Sequence, residues 1–357
     1  MPCTTTLRLP GSVALAASPP LGSLVVVLAA LGWRTVTPMR TIDFMRIGML
    51  TTATPQDLDR VARLGLRCWQ WMRFADSPAG PDHLDWKPFA EHIAAESAAR
   101  GLRLSAIGAL YANPLDPPQT ERARAVFQRA IAVAAHLGVK IVSGFAGGVI
   151  RFQPNPRGGN LVQEPFEDHL PALLAFWEPL ARQAADHGVR LAFEPCPQGP
   201  WHLPVMGYNA LGRPAMWERL FDATRCENLG LEWDPSHLIC QFIDPVANLR
   251  RFGARVFHVH AKDAFVNRTL LAAYGPCHPG VAEHRFPGLG QADWAQIIHT
   301  LLRLGYDSDL NIEGWHDPVY RDHGAEAGDA LAGQKLEDAG LLIARRTLEQ
   351  YVPAEPA

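Results

Sequence analysis

The chain of 357 residues is 48% hydrophobic and 19% charged, which supplies a sizeable core and lies far from the composition of a disordered chain. Lys and Arg number 33 against 36 Asp and Glu, a net charge of −3 with no basic run, so a nucleic-acid backbone has no electrostatic support as the main ligand. The six cysteines (Cys3, Cys68, Cys196, Cys226, Cys240, Cys277) are scattered without a CxxC pair; neither a disulfide framework nor a zinc knuckle is indicated, and a reducing, cytoplasmic setting is expected.

Residues 1–44 differ from the rest. The stretch 21–32 reads LGSLVVVLAALG, behind a single Arg8 and the pair Pro19-Pro20. That apolar run is too short to span a bilayer comfortably, and Trp33-Arg34 stand where a signal peptide would place its small-residue cleavage site. The segment reads as a poorly ordered or untranslated extension, ahead of a folded accessory element or an export signal, with Met39 or Met45 as alternative starts.

From residue 45 onward short apolar runs alternate with longer amphipathic ones, the pattern of β/α units on a parallel sheet. Strands are expected at 46–50, 67–72, 102–108, 139–144, 189–194, 229–234, 255–260 and 309–313. Helices are expected at 55–64, 87–100, 119–137, 168–187, 293–304 and 334–351, ahead of a disordered tail at 352–357. Gly65, Gly101, Gly138, Gly188 and Gly305 each lead from a helix into the next strand, as left-handed caps do. Eight such units close into a single-domain (β/α)8 TIM barrel over 45–351, of the α/β class. An open doubly wound sheet would bring a Gly-rich turn after its first strand, where this chain has Thr51-Thr52-Ala53-Thr54-Pro55.

Barrel enzymes carry their reactive groups at the C-terminal ends of the strands. The last four strands end in Glu194, Asp234, His260 and Glu313. Two Glu, one Asp and one His form a ligand set for one divalent ion of intermediate hardness, Mn2+ first, with Co2+, Mg2+ or Zn2+ as alternatives. Side chains two apart share a strand face. With the four ligands inward, the outward set is Leu191, Phe193, Leu231, Trp233, Phe257, Val259, Leu310 and Ile312, all apolar. The inward positions beneath the ligands are Ala192, Glu232, His258 and Asn311; the three polar ones are costly to bury unless they orient the ligands from below. His237, in the run DPSH, is balanced between a substrate contact and loop packing, while Cys196 and His202 have no fixed direction and are read as bystanders.

These residues resemble the sugar phosphate isomerase/epimerase family of xylose-isomerase-like barrels, which includes ketose 3-epimerases and inosose dehydratases. The matching words are FEP at 193–195, NLGLEWDPSHLICQFIDP at 228–245, VFHVHAKD at 256–263, FPGLGQADW at 286–294 and LGYDSDLNIEG at 304–314. They cover the second half of the barrel; the first half follows by spacing alone. The resemblance implies that Glu194, Asp234, His260 and Glu313 hold the metal, that Glu194 and Glu313 double as base and acid, and that His237 touches substrate. The chain departs from the ketose epimerases where they carry a substrate-contacting Arg: here that place is Val266, with Arg268 two residues on. The "phosphate" of the family name has no support, since no Gly-rich cradle with a basic partner is present.

The expected activity is a metal-dependent isomerase or epimerase acting through an enediolate on a keto-sugar or related polyol. If Glu194 removes the carbon-bound proton and Glu313 returns one on the opposite face, the outcome is epimerisation; return to the neighbouring carbon gives isomerisation. Elimination from the same enediolate gives a dehydratase or a lyase on an inosose or 3-keto-glycoside. Lys262 and Asp263, just past the metal His, are placed to steer a hydroxyl or leaving oxygen, or to form a solvated rim pair. The long mouth segments 149–165 and 264–291 read as lids. A zinc-dependent endonuclease at abasic DNA shares this barrel, but needs extra His ligands where this chain has Arg73, Phe74, Tyr111, Asn113, Lys262 and Asp263. A non-catalytic sugar-binding barrel is the remaining alternative. The expected partner is a small sugar or polyol, with neither nucleic acid nor membrane; a homo-oligomer is compatible.

Overall fold

A computed structural model describes residues 45–110, 112–199, 208–321 and 330–353. The extension 1–44, Tyr111, His202 and the tail from 354 lie outside the described residues. Eight parallel strands close into a barrel: β1 Ile47–Thr51, β2 Cys68–Trp71, β3 Arg103–Gly108, β4 Ile141–Gly144, β5 Arg190–Phe193, β6 Leu229–Trp233, β7 Val256–Ala261 and β8 Leu310–Ile312, hydrogen-bonded in the order β1-β8-β7-β6-β5-β4-β3-β2. Each lies within two residues of the bounds expected from sequence. The chain therefore folds as a TIM barrel.

The outer helices are α1 Pro55–Arg63, α2 Lys87–Ala99, α3 Thr120–Leu137, α4 Leu170–Asp186, α5 Pro214–Ala223, α6 Pro235–Cys240, α7 Pro245–Phe252, α8 Arg268–Tyr274, α9 Trp294–Arg303 and α10 Ala330–Glu349. Among the described residues no helix is long and apolar enough to cross a membrane. α5 to α8 have no counterpart in the sequence reading; α6 to α8 span only six to eight residues, about two turns of a 3.6-residue period. Two of them carry a different signal: Asp234-Pro235 and Asp244-Pro245 place a capping carboxylate before a proline, whose fixed φ suits the first helical position. Gly138 closes α3 at φ 73°, with its N–H on the Ala134 carbonyl, a conformation a Cβ would strain.

Outward strand residues pack against these helices. Leu191, Phe193, Leu231, Trp233, Val259, Leu310 and Ile312 are all buried, and the Phe193 ring meets Trp177 of α4 edge-on at 4.6 Å. Each such side chain contributes about 1.5–3 kcal/mol by leaving water. Phe257 departs from the outward set. β6 pairs Leu231 with Val256 and then Glu232 with His258, skipping Phe257, and this bulge turns the ring into the barrel, where it packs with Ala106, Ile141 and Ala192. Gly230 permits the approach, since a Cβ there would collide with the Phe257 ring. A second bulge, at Ser105 between β2 and β3, brings that hydroxyl inside as well.

The barrel interior is thus layered. Phe257, Ala106, Ile141 and Ala192 fill the N-terminal end. Above them lies a polar layer of Gln70, Ser105, Ser143, Glu232, His258 and Asn311, all buried. The mouth segments are partly regular: 152–154 pairs with 161–163 after β4, and 263–266 pairs with 282–285 after β7.

Candidate metal and substrate site

The ends of β5 to β8 bring Glu194, Asp234, His260 and Glu313 together, with one ligand atom from each inside a 4.8 Å cluster. Asp234 caps α6, its Oδ1 accepting the Ser236 N–H at 2.7 Å, which leaves Oδ2 facing the barrel axis side of the turn. The His260 Nε2–H is donated to Gln70 Oε1 at 2.8 Å, so a neutral ring presents the lone pair of Nδ1 upward. Nδ1 lies 3.0 Å from Glu313 Oε2 and 3.6 Å from Glu194 Oε1. Asp234 Oδ2, His260 Nδ1 and Glu313 Oε2 are buried and have no hydrogen-bond partner among the described residues. Acceptor atoms crowded together without a donor are expensive in a dry interior. A divalent cation between them removes that cost, and three carboxylates with one imidazole suit such an ion.

The electrostatics agree with this excess of negative charge. Without an ion, burial opposes the charged form of His260, yet Glu232 and Glu194 hold its pKa well above the ordinary imidazole value; an ion on Nδ1 would replace that proton and leave the ring neutral. Burial likewise pushes the Glu313 carboxyl up, and the Lys262 ammonium, with His260, brings it well below the usual carboxylate range. Asp234 is raised by burial, only partly offset by His237 and Lys262.

The polar layer below is hydrogen-bonded to this cluster through His260. Glu232 Oε1 accepts from Gln70 Nε2 at 2.8 Å and His258 Nδ1 at 2.9 Å, and lies 3.2 Å from His260 Nε2. Against burial, His260 and His258 hold the Glu232 carboxyl at about 2. Asn311 Nδ2 donates to His258 Nε2 at 2.9 Å and to Ser105 Oγ at 2.6 Å. Gln70 also donates to Ser143 Oγ at 2.9 Å. Gln70 is absent from the sequence reading, although a lone polar residue between two core tryptophans in CWQW signals an inward position.

A cavity of about 960 Å³ opens above the cluster and is lined by Glu194, His237, Lys262 and Glu313. His237 Nε2 sits 3.2 Å from both Glu194 Oε1 and Asp234 Oδ2. Lys262, in phase with His260 along the strand, turns inward and donates to Glu313 Oε1 at 2.8 Å. Asp263, out of phase, turns away. Its carboxylate accepts the N–H groups of Ala264 at 2.8 Å, Gly288 at 3.1 Å and Ala292 at 2.8 Å, and the Trp294 indole N–H at 3.1 Å, so the structure assigns it to pinning the β7 mouth loop. Arg268 is exposed at the start of α8 and does not line the cavity. Cys196 and His284 do line it. His284 comes from the hairpin after β7 and meets the His237 ring edge-on at 5.0 Å, a contact that no local pattern announces.

Residues 58–337 match the family model described as the xylose isomerase-like TIM barrel. The chain is 26% identical to the uncharacterized protein YfiH of Bacillus subtilis (strain 168) over 225 residues, 56% of this chain and 68% of that one. Among solved structures, D-psicose 3-epimerase from Clostridium cellulolyticum H10, crystallised with D-tagatose, superposes with a TM-score of 0.59 at 15% identity, over 87% of this chain and 100% of that one. The IOLI protein with a bound zinc atom gives a TM-score of 0.59 at 16% identity, over 87% and 100%. With its closed barrel and a family match over most of its length, the chain belongs to the xylose isomerase-like TIM barrel family.

Proposed function

We propose that this protein is a divalent-metal-dependent sugar isomerase or epimerase that acts through an enediolate on a keto-sugar or related polyol, with Glu194 and Glu313 as its proton carriers. The observation that carries the reading is the meeting of four ligand groups at consecutive strand ends, three buried and Glu313 partly exposed, with Asp234 Oδ2, His260 Nδ1 and Glu313 Oε2 each enclosed without a hydrogen bond. The likeness in fold to the D-psicose 3-epimerase, and to a protein that binds zinc, supports it. Glu194, Asp234, His260 and Glu313 would hold the ion, with Mn2+ the expected one and Co2+, Mg2+ or Zn2+ the alternatives. Such an ion, when bound, supplies Lewis-acid polarisation of a substrate carbonyl.

The protein's own residues supply the rest. Glu194 on β5 and Glu313 on β8 stand on opposite flanks of the cluster, so one carboxylate takes the proton from the carbon beside the carbonyl and the other delivers a proton to the opposite face. Epimerisation runs both ways, so each is base for one epimer and acid for the other. His237 on Glu194 Oε1 and Lys262 on Glu313 Oε1 fix the two carboxylates, and the remaining ammonium hydrogens of Lys262 would be free to meet a substrate hydroxyl. Elimination is the second reading, favoured by the buried Lys262 ammonium, a cation placed to stabilise a leaving oxygen.

The test is a screen of Mn2+-loaded protein against ketoses, inososes and 3-keto-glycosides in deuterated water, followed by NMR. Deuterium at a carbon beside the carbonyl, abolished by chelation, is expected. Turnover by metal-free protein, or without any solvent exchange, overturns the reading.

A further inference from the structure

The cavity is larger than its inner end needs. It holds about 960 Å³, near the top of the range of about 300–1,000 Å³ for small-molecule sites. A single hexose displaces roughly 200 Å³, on the scale of about 30 Å³ for one water. The same cavity is also lined by Trp315, Arg73, Asp76, Arg60, Glu337 and Arg321, none of them at the four-residue cluster, and we take this part of the cavity as its outer compartment.

Trp315 lies two residues past the proposed ligand Glu313 and is 47% exposed, the one exposed tryptophan among the described residues. Its loop is built to present it. The Arg321 guanidinium, which also lines the cavity, lies over one face of the indole ring at 4.6 Å and is itself paired with Glu337. His316, next in the chain, holds φ 65°, a left-handed conformation that a non-glycine residue adopts only under constraint. Asp317 supplies the constraint: Oδ1 accepts the Val319 and Tyr320 N–H groups at 2.9 Å, and Oδ2 accepts the Phe286 N–H at 2.9 Å and Arg285 Nε at 3.1 Å.

The charges around this platform cancel locally. Arg60 pairs with Glu337 at 3.1 Å and with Asp338 at 2.7 Å, and Arg73 with Asp76 at 3.4 Å, so among the described residues each arginine of this wall has a carboxylate partner and the wall is polar with many hydrogen-bonding edges. An indole face beside paired charges is complementary to a sugar ring, which offers C–H groups on its faces and hydroxyls around its edge.

We propose that the outer compartment is a subsite for a neutral second sugar ring stacked on Trp315, so that the substrate class is a keto-sugar carrying a glycosyl unit rather than a free monosaccharide. This rests on the proton-transfer reading of the inner end, which would place the keto-sugar there. The test is calorimetric binding of Mn2+-loaded protein to fructose and to three disaccharides that carry a glycosyl unit on fructose through different hydroxyls: turanose, lactulose and isomaltulose. At least one disaccharide should bind about tenfold or more tighter than fructose. Trp315→Ala should bring that ratio near unity, and Trp315→Phe should retain part of it. Equal affinities for all four sugars, or a ratio that survives Trp315→Ala, overturn the subsite. Solvent-deuterium exchange on the same samples reads the inner end separately. A disaccharide preference lost in Trp315→Ala, with no exchange in any sugar, keeps the subsite and fails the isomerase reading; exchange in fructose with equal affinities does the reverse.

Discussion

The Nε2–H of His260 on β7 is donated to Gln70 Oε1 on β2, 2.8 Å away across the barrel interior. That bond fixes the tautomer of the ring and aims Nδ1 at the three carboxylates, and Gln70 is held in turn by Ser143 and Glu232. The orientation of this proposed ligand therefore depends on a residue on a strand that contributes none of the four clustered groups.

Gln70→Ala should weaken Mn2+ affinity about 10–100-fold, the usual cost of removing a hydrogen-bond partner behind a metal-binding His. Competition with a fluorescent chelator measures it. Affinity unchanged from wild type would show that the His260 ring is oriented by packing alone.

Glu194→Gln and Glu313→Gln each keep an oxygen donor but cannot carry a proton. Each variant should retain substantial metal by elemental analysis while losing at least about 100-fold in turnover. His260→Ala and Asp234→Ala should instead lose the ion. Gln variants with most of the wild-type rate would rule out carboxylate proton transfer and point to a hydride shift or a hydrolytic role.

Asp263→Ala should destabilise the barrel on the order of 3 kcal/mol, because it strands three backbone N–H groups and the Trp294 indole N–H around one buried carboxylate. Asp263→Asn, which keeps one acceptor oxygen, should cost less. Urea midpoints report both, and a shift in neither would leave the β7 loop anchored by other contacts.

Tyr306 donates its hydroxyl to the Asp309 carbonyl at 2.7 Å, and burial pushes its pKa well above the ordinary 10.0. The folded state keeps a proton that the unfolded chain releases above about pH 10, so this contribution is intact below pH 10 and is lost as pH rises toward the folded value. Tyr306→Phe should cost about 1 kcal/mol at neutral pH and flatten the alkaline loss. Urea melts at neutral pH and near pH 11 compare the two slopes; equal slopes would place the alkaline sensitivity elsewhere.

Some of this architecture is local and therefore legible along the chain. Strand and helix periods, the glycines that close helices and the polar residues Glu194, Asp234, His260 and Glu313 at strand ends each depend on a few neighbouring residues. The parity of β7 also carries the opposite directions of Lys262 and Asp263. Phe257 shows where the alternation rule stops: a bulge depends on the partner strand's register, which one strand's sequence does not contain.

The amino-acid sequence by itself determined the eight-fold alternation and the chemical kinds of group at the four strand ends, because backbone period and residue chemistry are properties of short segments. Only the tertiary structure decided that Gln70 meets His260, that Asp263 serves a loop, that His284 reaches His237 and that Trp315 borders the outer cavity. Those are distances between residues far apart in the chain, fixed by barrel closure and by how each mouth loop satisfies its buried backbone groups.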